Sequence, residues 1–139
     1  MRELPRAVAV VLFACVQNAG RSQIAAALFN ALADSTEARA ISAGTRPAAH
    51  VHPEVVVAMR EVGIDLVDAI PTRLTDELAR TAALVVTMGC GEVCPAVPGL
   101  RRLAWDVADP HGQRADRLRG IRDGIRRQVE ALIAAEGWA

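Results

Sequence analysis

The feature that most constrains this chain is an apolar, β-branched run, Ala7-Val8-Ala9-Val10-Val11-Leu12-Phe13-Ala14, that flows into Cys15-Val16-Gln17-Asn18-Ala19-Gly20-Arg21-Ser22 and then into Ser22-Gln23-Ile24-Ala25-Ala26-Ala27-Leu28-Phe29. The first part reads as a buried parallel strand, apolar on both faces. The last part reads as a helix over 22–33, with Ile24, Leu28 and Ala31 on one side. A cysteine, five residues and an arginine thus occupy a strand-to-helix turn. Such a turn can wrap its N–H groups around an anion, with the positive end of a helix dipole behind it. Arg21 adds a planar fork of donors suited to a tetrahedral oxyanion. Cys15 at the mouth of that turn is expected to carry a populated thiolate, favoured by the loop N–H groups and the Ser22 hydroxyl. Asn18 and Gly20 supply backbone freedom, Asn18 because asparagine tolerates the left-handed region.

The rest of the chain alternates strands and helices. Ala38–Ala43 reads as a second strand ended by Gly44. Pro53 opens a helix over 53–62, with Val56, Met59 and Val62 facing in and Gly63 as its stop. Residues 66–73 read as loop, and Thr75 caps a short helix with Asp76 and Glu77 in its first turn. Leu84–Thr87 is a third buried strand. Residues 89–99 hold Gly89, Gly91, Pro95, Pro98 and Gly99 and are expected to be mobile, and Leu103–Trp105 is a short fourth strand. Leu118, Ile121, Ile125, Val129 and Leu132 recur at helical spacing within a final helix over 113–136. This order predicts an α/β three-layer sandwich on a four-stranded parallel sheet, in one domain spanning 1–139. The loop after the first strand then lies at the carboxyl edge, where such sheets place ligands.

Composition narrows the partners. Net charge is zero and no basic run is interleaved with aromatics, so neither nucleic acid nor an anionic membrane surface is expected. No stretch approaches the roughly 20 apolar residues of a membrane span. Arg2 and Arg6 before residues 7–14 and Cys15 share the layout of a short lipoprotein signal, but cleavage there would delete a strand that the loop needs. Three cysteines, an odd number, fit the cytoplasm, where cysteines do redox or nucleophilic work.

Cys90 and Cys94 admit three readings: inert core thiols, metal ligands together with His111 or His52, or a redox pair. The zinc reading lacks a fourth good ligand. Four residues apart on a helix the two would share a face, yet a disulfide needs closer Cβ atoms, so that the helix would have to loosen. Asp109, restrained by Pro110, reads as a turn aspartate or a general acid, with Asp106 the weaker candidate. His50, His52 and His111 read as surface or capping groups, and Arg46, Arg101 and Arg102 as solvated charge or rim.

The Cys15–Ser22 loop resembles that of the low-molecular-weight protein tyrosine phosphatase family, above all the arsenate reductases that share the fold. Ser42-Ala43-Gly44-Thr45, Thr87-Met88-Gly89-Cys90 with Cys94-Pro95, and Trp105-Asp106 with Asp109-Pro110 extend the likeness over nearly the whole chain. The resemblance implies Cys15 as nucleophile, Val16, Gln17, Asn18, Ala19, Gly20, Arg21 and Ser22 as the oxyanion cradle, and Asp109 as general acid. It also implies a disulfide relay through Cys90 and Cys94, drained by an external dithiol such as thioredoxin, in a monomer with no bound cofactor or metal. Some thioredoxin-coupled relatives bind potassium through an acidic residue on the first helix; here that position is Ala26. Three features favour reductase over phosphatase: the chain has no tyrosine, with His111-Gly112 standing where phosphatases place aromatics; Cys90 and Cys94 have no purpose in hydrolysis; and Gln23 replaces the phosphatases' proline. The alternatives are a phosphatase, a transferase joining arsenate to a small thiol through Cys15 alone, or an oxyanion-binding or redox-sensing module.

Overall fold

A computed structural model of the chain describes residues 7–89 and 98–139. Its elements run β1 (Ala9–Cys15), α1 (Arg21–Leu32), β2 (Ala38–Gly44), α2 (Pro53–Arg60), α3 (Asp76–Arg80), β3 (Leu84–Thr87), β4 (Arg101–Ala104) and α4 (Ala115–Glu136). The strands form one sheet in the order β2-β1-β3-β4. All three pairings are parallel, with Cys15 opposite Gly44 and Ala14 opposite Thr87. The expected four-stranded parallel sheet is therefore present, and β1 is central because it is the most apolar strand.

Alternation along β1 builds the layers. Val11, Phe13 and Cys15 face a large cluster made with Ile24, Leu28 and Phe29 of α1, Val55 and Met59 of α2, and Leu118, Ile125 and Val129 of α4. Leu12 and Ala14 face the other way, onto Ala79 and Ala82 beside α3. That second layer is thin, because α3 has only five residues and meets the sheet through alanines. With only two phenylalanines, the aromatic core is a chain: Phe13 meets Phe29 edge-on at 6.0 Å and Trp105 at 5.6 Å, and Phe29 meets Trp138 at 5.9 Å. Among the described residues, no helix is long and apolar enough to cross a membrane.

Several local expectations need correction. In α2 the buried positions are Val55, Ala58 and Met59; Met59 is as expected, whereas Val56 and Val62 are only partly buried against the core. Ala31 is exposed, since α1 buries the band from Ser22 to Phe29. The fourth strand begins at Arg101 and ends at Ala104, before Trp105. Thr75 caps α3 as expected, accepting the Leu78 N–H at 3.1 Å. The segment expected to be mobile, including Cys90 and Cys94, lies outside the described residues from 90 to 97.

One buried cation joins α4 to α2. Arg122, 8% exposed, donates to the Ala58 carbonyl at 2.8 Å and to Glu61 at 2.9 Å, and Arg119 forks onto the same carboxylate. Hydrogen bonds from Arg119, then those from Arg122, outweigh burial and pull the Glu61 carboxyl from its ordinary 4.5 down to about 2. A depressed carboxyl stabilises the fold above its unfolded value and loses that contribution as pH falls toward the folded one. Acid unfolding followed by circular dichroism should therefore begin below about pH 4.5, and Glu61→Gln should flatten the profile between that point and pH 2. An unchanged acid limb in the variant would remove Glu61 from the account.

Candidate active site

β1 delivers Cys15 to the carboxyl edge of the sheet as its last residue, 3% exposed, and α1 begins six residues later at Arg21. The loop between them turns its carbonyls outward. Cys15, Val16, Gln17 and Ala19 accept the N–H groups of Thr45, Arg46, Ala48 and His52 at 2.8 to 3.1 Å. The segment after β2 thus wraps the loop from outside and leaves its N–H edge to the inside. A cavity of about 260 Å³ opens there, lined by Cys15, Val16, Gln17, Ala19, Gly20 and Arg21 on one side and by His52, Asp109 and His111 on the rim.

The wrap needs a glycine. A Cβ on Gly44 would run into the Val16 carbonyl and lie 2.8 Å from the Asn18 nitrogen. Both obstacles are backbone, so Gly44→Ala should cost about 2 kcal/mol or more in urea unfolding, and a neutral result would mean that the loop yields easily.

The cysteine sulfur sits inside a directed network. Sγ accepts the Asn18 N–H at 3.2 Å and lies 2.8 Å from the Ser22 hydroxyl. That hydroxyl already accepts Asn18 Nδ2 at 2.7 Å, so its own proton is free to point at sulfur. Asn18 is held in turn. Its Oδ1 accepts the Thr72 N–H at 2.8 Å and Gln23 Nε2 at 3.2 Å, and its φ is 51°, the left-handed region expected of it. The Asn18 N–H and the Ser22 hydroxyl thus converge on one sulfur.

The expected cradle divides into two groups. Val16, Gln17, Ala19, Gly20 and Arg21 line the cavity, whereas Asn18 and Ser22 are fully buried beneath it and support Cys15. Gly20 is a glycine for space and not for left-handed backbone, since its φ is −139° and a Cβ would come within 2.8 Å of Pro110 Cγ. Pro110 is buried on the loop, which seats Asp109 at the rim. Asp109 accepts the His111 N–H at 2.9 Å, a tight turn that fixes its carboxylate. Asp106 lines a separate hollow against α4. Arg21 donates to the Val107 carbonyl at 3.2 Å and packs on Gly89, where a Cβ would lie 2.5 Å from Nη1. Gly89 also has φ +98°, so both space and backbone demand glycine.

Two of the histidines meet at the cavity. His52 caps the start of α2 and bonds Gln17 Oε1 at 3.1 Å. His111 stacks on it with ring centres 3.9 Å apart and bonds Glu54 at 2.9 Å. Burial, then the neighbouring His111, keep His52 below the ordinary imidazole value, partly offset by Glu54 and Asp109. Burial pushes Glu54 up, but hydrogen bonds from its own N–H, Gly112 and His111 leave it below its ordinary value. The two rings are 59 positions apart in sequence, so no local pattern could have paired them. His50 and Arg46 are exposed away from the cavity, and Arg101 pairs with Glu136 at 2.6 Å.

The family model for low molecular weight phosphotyrosine protein phosphatase matches residues 10–136. Arsenate reductase 1 of Bacillus cereus is 35% identical over 126 residues, covering 86% of this chain and 90% of that protein. Among solved structures, a thioredoxin-dependent arsenate reductase of Corynebacterium glutamicum superposes with TM-score 0.80 at 41% identity, covering 92% of this chain; this chain spans 61% of that one. An arsenate reductase in the phosphate binding state superposes with TM-score 0.79 at 28% identity, covering 92% of this chain and 98% of that one.

Proposed function

The chain belongs to the low molecular weight phosphotyrosine protein phosphatase family, and within it we propose that this protein reduces arsenate to arsenite by a thiol relay. The observation that carries the reading is the Cys15 sulfur at the floor of an anion-sized cavity, bonded by Asn18 N–H and next to the Ser22 hydroxyl. The likeness to proteins named arsenate reductase selects arsenate over phosphotyrosine, and so do Cys90 and Cys94, which hydrolysis would not use.

Arsenate enters the loop and is held by its N–H groups and the Arg21 fork. The Cys15 thiolate attacks arsenic, and Asp109 protonates the oxygen that leaves as water. Cys90 thiolate then attacks the Cys15 sulfur. The electron pair of the sulfur–arsenic bond passes to arsenic, arsenite departs, and a Cys15–Cys90 disulfide forms. Cys94 attacks Cys90, which frees Cys15 as thiolate and leaves a Cys90–Cys94 disulfide. An external dithiol, thioredoxin in this reading, reduces that pair by exchange. Both electrons for arsenic thus come from thiols, which fits work in the cytoplasm, where thiols are kept reduced.

The test is arsenite production from arsenate with purified thioredoxin, thioredoxin reductase and NADPH, with phosphate as competitor. Turnover that phosphate inhibits supports the reading. Turnover that needs only a small thiol and survives loss of both Cys90 and Cys94 would make the protein a transferase. Aryl phosphate hydrolysis without arsenite formation would make it a phosphatase, and anion binding with neither product a sensor.

A further inference from the structure

We propose that the rim of the anion cavity is a divalent transition-metal site, formed by His52 and Glu54 at the start of α2 and His111 on the loop after Pro110. One ligand atom from each of the three lies within 4.8 Å of the others. Two imidazoles and one carboxylate suit a borderline first-row cation such as Zn²⁺, Co²⁺ or Ni²⁺, whereas Mg²⁺ and Ca²⁺ prefer oxygen donors throughout.

The donors are held from behind. The His52 N–H is bonded to the Ala19 carbonyl at 3.0 Å, which ties that residue to the anion loop. Glu54 Oε1 accepts the Gly112 N–H at 3.2 Å as well as His111 Nδ1 at 2.9 Å, so the loop is already drawn onto α2. Metal binding would replace the His111–Glu54 hydrogen bond, and metal–ligand distances of about 2.0–2.2 Å ask the two groups to part only slightly. The stacked rings would have to turn toward one another, a side-chain rotation open to His111 because its side chain is 56% exposed. The positive end of α2 opposes a cation, and the Glu54 charge in the first turn offsets it.

Three protein ligands leave coordination positions open. Because His52 and His111 both line the cavity, those positions face the space that Cys15 and Arg21 also line. A bound cation would also pin the Asp109–Gly112 turn to α2 and narrow the mouth. None of this requires the arsenate reading, since it concerns only the three rim side chains.

The experiment uses Zn²⁺ with the full chain carrying Cys15→Ser, Cys90→Ser and Cys94→Ser, so that thiols do not compete for the metal. Calorimetry should give one site with a micromolar dissociation constant. The imidazole resonances of His52 and His111 should shift together, while His50, the third histidine of the chain, stays in place and serves as an internal control. His111→Ala should weaken binding by more than about 100-fold, beyond the roughly 10–100-fold that loss of a supporting contact costs, and Glu54→Gln should weaken it less. Circular dichroism without metal checks that each variant is folded, and Co²⁺ absorption in the visible gives a second readout of the same site. Affinity unchanged in His111→Ala, equal shifts at all three histidines, or no binding below millimolar Zn²⁺ would each overturn the proposal.

Discussion

Cys15→Ser should lower arsenate turnover by on the order of 10⁴-fold or more, to the background of the assay. A serine hydroxyl is not ionised at neutral pH, so the donors gathered around the sulfur would have no anion to stabilise. The fold should survive. The substituted oxygen can still accept the Asn18 N–H and meet the Ser22 hydroxyl, and the residue remains the buried end of β1 opposite Gly44. Phosphate binding should survive for the same reason, because the loop N–H groups and Arg21 are untouched. A variant that binds phosphate but makes no arsenite therefore separates chemistry from binding. Near-normal turnover in a preparation shown by mass to be serine at this position would remove Cys15 from the mechanism. Ser22→Ala gives the graded counterpart, since it deletes only the hydroxyl donor; a charge-assisted bond of about 2 kcal/mol corresponds to a loss of about 30-fold.

The parts of this site that can be read from the chain are those whose cause is local. β1, the loop and α1 are consecutive, so an apolar run, a Cys-x5-Arg turn and a helical pattern suffice to place the anion site at a sheet edge. The left-handed backbone at Asn18 is likewise local, because asparagine pays little for it. What escapes the sequence depends on contacts between distant segments. Met59 of α2 is buried as expected, but the buried valine is one position earlier than expected because three consecutive valines, Val55 to Val57, give periodicity no preference. Packing against α4 then buries Val55 and leaves Val57 in solvent. Gly20 looks like a source of backbone freedom, yet its reason is Pro110, 90 positions away. Gln23 reads as a family departure, and its amide turns out to hold the Asn18 carbonyl and side chain. The His52–His111 stack joins two elements that no short-range rule relates. Each of these is settled by which segments the parallel sheet brings to the same edge.

The relay makes the sharper demand, because it distinguishes two cysteines that steady-state kinetics cannot. Both Cys90→Ser and Cys94→Ser should abolish continued turnover with thioredoxin. In a single turnover they should part. Cys94→Ser should release about one arsenite per enzyme and then stall as a Cys15–Cys90 disulfide. It stalls because Cys15 is 3% exposed at the end of β1, where a protein reductant cannot approach its sulfur in line. Cys90→Ser should release none and keep arsenic on Cys15, since no thiolate is left at the position that draws the first disulfide. The approach to the pair supports this order of events. Gly89, the last described residue before it, packs against the Arg21 guanidinium, and Cys90 is the next residue in the sequence. Peptide mass mapping of stalled Cys94→Ser decides the matter. A linked Cys15–Cys90 peptide supports the relay, and sustained turnover of the same variant with thioredoxin would make Cys94 a bystander and leave Cys90 to be reduced directly.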